Sequence, residues 1–154
     1  MPESLQTLFA RVAFNLFPAY RGTGAWITYI ARDWSEIRIC VPLSWRTRNY
    51  VGTIYGGSMY GAVDPVYMIM LIRMLGPGYI VWDKAASIRF VRPGRTPLRA
   101  TFSIDPQSVE AIRTELASQP KTERGYTVEL QDSAGVVYAV VEKRLHIARQ
   151  AVAA

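Results

Sequence analysis

The chain has 154 residues, half of them hydrophobic, which suffices for a sizeable core and calls for no second domain, so residues 1–154 are expected to form one domain. Its 18 basic residues outnumber 12 acidic ones for a net charge of +6, and most of the basic residues are Arg, which favours an anionic partner such as a coenzyme or a nucleic acid. The single cysteine, Cys40, excludes an intramolecular disulfide, and no apolar run approaches the roughly 18 residues of a membrane span. The N-terminus lacks the basic leader of a signal peptide, so a cytoplasmic location is expected.

Leu5, Leu8, Phe9, Val12, Leu16 and Phe17 recur at three- and four-residue steps and predict an amphipathic first helix whose apolar stripe packs onto the fold. A membrane-surface helix is the sharper alternative. Gly22-Thr23-Gly24 follows no strand and has no third glycine, so it is not a dinucleotide-binding loop. Trp26 to Arg32 and Glu36 to Val41 read as strands, the second alternating Ile37, Ile39 and Val41 against Glu36, Arg38 and Cys40. Cys40 reads as a small sheet residue rather than a catalytic thiol.

The stretch from Asn49 to Asp64 carries the chemistry. Gly56 and Gly57 lie where a loop should turn into a helix, and the first helical N–H groups, lacking internal partners, suit a developing oxyanion. Asp64 follows among apolar residues and precedes Pro65 and the all-round apolar run Val66 to Ile72. A carboxylate bordering a core must be held by a specific partner. Two readings of Asp64 stay open: a helix N-cap with Pro65 at the first helical position, or a reactive group. In a helix beginning near Gly57, Asp64 lies about two turns, roughly 10 Å, further along. The two could act on one small group if a second copy of the chain brought its own Asp64 to the first copy's Gly57.

The helix is expected from about Gly57 to Met74, closed by Gly76-Pro77-Gly78. Strands follow at Tyr79 to Val91 and at Leu98 to Ile104, with Asp105-Pro106 starting a second amphipathic helix that ends before Pro120. Tyr126, Val128 and Leu130 then pair through a Ser-Ala-Gly turn with the run Val136 to Ile147. Two strands, a buried helix and about four antiparallel strands make an α+β order in which a curved sheet wraps a central helix.

The intervals between Asn49, Tyr55-Gly56-Gly57 and Asp64 resemble those of hotdog-fold acyl-CoA thioesterases of the phenylacetyl-CoA type, most closely a sparsely characterised branch known mainly as a domain of unknown function. That resemblance implies a hotdog fold and hydrolysis of acyl-CoA or a related acyl thioester, with coenzyme A present only as part of the substrate and no separate cofactor. It makes Asp64 the general base or nucleophile and the Gly57 N–H the oxyanion donor, with Asn49 and Tyr55 orienting substrate or water and with Gly56 and Ser58 contacting the substrate. It also implies a homodimer or dimer of dimers paired through sheet edges. One departure stands out: Tyr55 occupies the position where the family usually has His, and a phenol is a poor base near neutral pH. An acyl-CoA or lipid-like ligand binder without catalysis is therefore the alternative reading. Met59, Tyr60, Val63, Tyr67 and Met68 are candidates for lining an acyl pocket, with the first helix as a candidate lid.

Arg89, Arg92 and Arg95, together with Arg99, surround the Pro93-Gly94 turn and are candidates for binding coenzyme A phosphates. His146, the only histidine, lies far from Asp64 in sequence, which leaves no Ser-His-Asp triad there and no His or Cys set for a metal. It also ranks hotdog hydratase chemistry low. Nucleic-acid binding ranks last, because the basic residues are dispersed and no recognisable binding motif is present.

Overall fold

Residues 2–150 are described by the computed structural model; residue 1 and residues 151–154, the ends of the expected domain, lie outside the described residues. The elements follow in the order α1 (Leu5–Leu16), α2 (Pro18–Gly22), β1 (Trp26–Ile30), β2 (Glu36–Val41), α3 (Gly56–Val63), α4 (Val66–Leu75), β3 (Tyr79–Phe90), β4 (Leu98–Ser103), α5 (Pro106–Ser118), β5 (Lys121–Gln131) and β6 (Val137–Arg149). The strands form one six-stranded antiparallel sheet in the order β1-β2-β4-β5-β6-β3, curved around the α3–α4 pair in the α+β hotdog layout.

Period-two alternation builds this sheet. In β2 the inward residues are Ile37, Ile39 and Val41, and its neighbour β4 supplies Leu98, Ala100 and Phe102, all buried. The helices meet them with Ala62, Val63, Val66, Tyr67, Met70, Leu71 and Leu75. Val63 and Val66 flank the junction of α3 and α4, and burying each contributes about 1.5–3 kcal/mol, which fixes that junction against the sheet.

The single helix expected from Gly57 to Met74 is two helices. Pro65 cannot donate to the Gly61 carbonyl, and the ladder is interrupted at Asp64-Pro65 although both residues keep right-handed helical angles. The segment after β3 is a crossover rather than a tight hairpin, because β3 lies beside β6 at one edge and β4 lies between β2 and β5. The short helix α2 was not legible in the periodicity, and β5 begins at Lys121, ahead of the expected Tyr126.

Helix α1 corrects a further expectation. Ser4 caps it through a reciprocal capping box with Thr7, as its sequence allows. It then packs through Thr7, Ala10 and Phe14, while Leu5, Phe9, Val12 and Leu16 of the apolar stripe face outward. Polar groups set this orientation. The Asn15 amide exchanges both of its hydrogen bonds with the backbone of Ile27, at 2.9 and 2.8 Å, and the Glu3 carboxylate accepts from the Ile30 N–H at 3.3 Å. These contacts satisfy backbone groups on the outer side of edge strand β1, and turning the stripe inward would break them.

Candidate active site

Asp64 is not alone, and it closes α3 as its C-cap, its N–H donating to the Tyr60 carbonyl, rather than opening α4. The residue at the N-cap of α4 is Pro65, no side chain caps that helix, and Asp64 itself has helical angles of φ −47° and ψ −52°. The N-cap reading is thereby overturned. The Asp64 Oδ1 instead accepts from the Tyr60 hydroxyl at 2.7 Å and from the Lys143 ammonium at 2.7 Å. Tyr60 sits one turn earlier on α3, so the helix itself aligns donor and acceptor. Both donors converge on one oxygen. Among the described residues none donates to Oδ2, and the Asp64 side chain as a whole is 44% exposed.

Lys143 arrives from the sheet. In β6 the inward face runs Ala139, Val141, Lys143, Leu145, Ile147, all buried, so the lysine occupies a core position and its side chain has no exposed surface. A buried ammonium requires anions, and Asp83 supplies a second one at 3.0 Å from Nζ. Asp83 shares the inward parity of Val81 on β3, just before a bulge that makes Lys84 the extra residue opposite β6. The Asp83 Oδ1 pairs with the ammonium by distance but misses hydrogen-bond geometry.

The electrostatics follow from that placement. Burial alone pulls the Lys143 pKa down, but the hydrogen bond to Asp64 and the negative charges of Asp64 and Asp83 more than offset it, so the ammonium holds its proton beyond the ordinary lysine range. Burial pushes the Asp83 carboxyl up, against the pull of Lys143. Burial raises the Tyr60 phenol as well, and its hydrogen bond to Asp64 adds to the rise, so Tyr60 acts as a donor and not as a base.

Asp64 borders an apolar groove of about 380 Å³ between α1–α2 and the α3–α4 junction. A second groove of the same volume holds Asn49, Gly56 and Arg92 with Met59, Phe90 and Pro93. The structure thus brings three of the expected site residues together and keeps Asp64 apart from them. The loop before α3 is pinned to the Pro93-Gly94 turn by the Ile54 N–H, which donates to the Gly94 carbonyl at 2.8 Å. Asn49 serves that loop, its oxygen accepting from the Val51 and Thr53 N–H groups and its amide donating to the Thr53 hydroxyl at 2.8 Å. No side chain caps α3, whose first N–H groups belong to Gly56 and Gly57. Aromatic rings crowd these glycines: a Cβ on Gly56 would lie 2.7 Å from the Phe90 ring and one on Gly57 would lie 2.3 Å from the Tyr55 ring. Ser58 is buried beneath them. Arg89, Arg92 and Arg95 are all exposed; Arg92 lies over the Tyr138 ring at 5.7 Å, whereas Arg89 and Arg95 line neither groove. Of the expected pocket residues, Met68 lines the Asp64 groove and Met59 the other, while Val63 and Tyr67 fill the core.

Tyr60, Asp83 and Lys143 as a bonded set were missed by the sequence reading. The signal was present in β6, where a lysine interrupts a period-two apolar face and announces a buried cation in need of an acid.

A family model described as a domain of unknown function, DUF4442, matches residues 6–147. The chain belongs to this family. Among solved structures, the DUF4442 chain is similar to a protein of unknown function and probable thioesterase from Pseudomonas aeruginosa, with a TM-score of 0.83 at 20% identity over 97% of this chain and 99% of the other. A thioesterase from Haemophilus influenzae matches with a TM-score of 0.70 at 14% identity over 99% and 95% of the two chains. A mutant thioesterase from Pseudomonas aeruginosa matches with a TM-score of 0.69 at 12% identity over 97% of each. At these identities the likeness is one of fold, and the fold is that of the hotdog thioesterases. No curated protein matches the chain. Among the described residues of this DUF4442 protein, no helix is long and apolar enough to cross a membrane.

Proposed function

We propose that this protein is a cytoplasmic homo-oligomeric hydrolase of acyl-CoA or a related acyl thioester. The observation that carries the reading is the half-exposed carboxylate of Asp64 beside an apolar groove, with Oδ1 gripped by Lys143 and Tyr60 and Oδ2 left without a donor among the described residues. A carboxylate fixed through one oxygen presents the other in a defined direction, which is what attack or proton abstraction requires. Oδ2 either takes a proton from a water that adds to the thioester carbonyl or itself adds to that carbonyl. The C–S bond then breaks, the sulfur leaves as a thiol after gaining a proton, and water provides the hydroxyl of the released acid.

The Gly57 N–H, with Gly56 before it, supplies the oxyanion donor at an uncapped helix start. Since Gly56 and Asp64 face different grooves, the productive pair is formed between two copies, and the long edge strand β3 offers the backbone for their association. Arg92, in the groove with Gly56, meets the coenzyme phosphates, assisted by the exposed Arg89 and Arg95.

The Tyr55 ring packed over Gly57 favours a second reading, an acyl-CoA binder without turnover, because it partly covers the helix start and carries no imidazole. Thiol release from a panel of acyl-CoA substrates separates the two. Hydrolysis is expected with at least one substrate, and tight binding without thiol release across the panel establishes the binder instead.

A further inference from the structure

The groove beside Asp64 has a composition that selects what enters it. Phe14, Phe17 and Ala19 form one wall and Pro65, Met68 and Ile69 the other, and Asp64 is the sole charged residue along its length. Its volume of about 380 Å³ compares with the roughly 150 Å³ that accommodates a benzene ring. A group of two or three carbons would leave most of these walls in water. An acyl group ending in a second carboxylate would lay that charge along apolar walls that offer it no cation. We infer that this groove receives the acyl chain of the substrate, and that the chain is uncharged, linear or aryl-ended, and on the order of eight to twelve carbons long. The inference rests on the hydrolase reading of Asp64, which sets the thioester carbonyl beside Oδ2 and the tail along Phe14 and Phe17.

S-decyl-coenzyme A, a thioether that cannot be hydrolysed, tests the groove directly by titration calorimetry on the full chain. Each methylene moved fully out of water tightens binding about fourfold, so even a partly open groove should make the decyl compound bind at least about tenfold tighter than coenzyme A alone. Ala19 is exposed, so Ala19→Trp can occupy the groove without entering the core. It should abolish the decyl gain and leave coenzyme A affinity unchanged. Phe17→Ala, which removes part of a wall, should reduce the gain by about threefold. An absent gain, or one that survives both substitutions, overturns the inference. So does an Ala19→Trp variant that loses its oligomeric state in sedimentation while binding the decyl compound as before, which makes the groove a contact between copies. Tight decyl binding with no hydrolysis of decanoyl-CoA keeps the acyl groove and removes the hydrolase reading. Hydrolysis indifferent to chain length keeps the hydrolase and removes the acyl groove.

Discussion

The two grooves have equal volume, about 380 Å³ each, and charged residues of opposite sign. The one beside Asp64 is apolar with a single anion; the one beside Gly56 gathers Arg92, the Asn49 loop and the start of α3. One is suited to a hydrocarbon and a reacting carbonyl, the other to phosphates and a developing oxyanion. On the proposed hydrolase reading, these are two unlike half-sites carried on a shared scaffold. The Asp64 carboxylate is held by the core, through Lys143 on β6, whereas the Gly56 side is held by loop hydrogen bonds and a turn.

Removing Lys143 should strain that contrast most. Lys143→Met leaves the buried Oδ1 of the half-buried Asp83 without its cation and frees Asp64 to rotate. Thiol release should fall about 100-fold, since a misplaced reacting group loses that much. Stability should fall by about 3 kcal/mol in urea unfolding, the lower end for a broken buried pair because Asp64 is partly exposed. The same variant tests the pH dependence. Lys143 binds its proton more tightly folded than unfolded, so its contribution is complete below the ordinary lysine value of about 10.4 and is lost as pH rises through the higher folded value. The parent should lose stability over that alkaline window, and Lys143→Met should lack this component. Parent-like rate and parent-like alkaline unfolding would detach the core from the site.

The Gly56 groove should respond differently. Arg92→Ala should raise KM for acyl-CoA about tenfold, the loss of one charged hydrogen bond, and leave KM for a pantetheine thioester without the nucleotide phosphates unchanged. Equal effects on both substrates would place the phosphates elsewhere. The smallest change is expected from Tyr60→Phe, which removes one of two donors to Oδ1 and should slow hydrolysis about fivefold with little change in KM. A loss as large as that of Lys143→Met would make the phenol, not the ammonium, the principal grip.

Much of this scaffold was legible in the sequence for local reasons. Strict alternation in Glu36–Val41 and Leu98–Ser103 could bury only one face, and Gly76-Pro77-Gly78 could not continue a helix. The need for a partner at Asp64 was legible too, but its identity depended on bringing together residues 79 positions apart. The outward stripe of α1 misled because hydrophobic spacing reveals that a helix has an apolar face, not where it points; Asn15 and Glu3, bonded to β1, decided that. The grooves arise where α1–α2 approaches the central helices and where the loop before α3 meets the Pro93-Gly94 turn, long-range meetings that no local pattern encodes.

The central claim is that Asp64 Oδ2 does the chemistry. Asp64→Asn preserves shape, keeps an oxygen for Lys143 and Tyr60, and replaces the reactive oxygen with an amide nitrogen. Measured as thiol release from the best acyl-CoA substrate, with unfolding checked alongside, the variant should stay folded and lose roughly 100-fold to 10,000-fold in rate. Turnover equal to that of the parent would contradict the account.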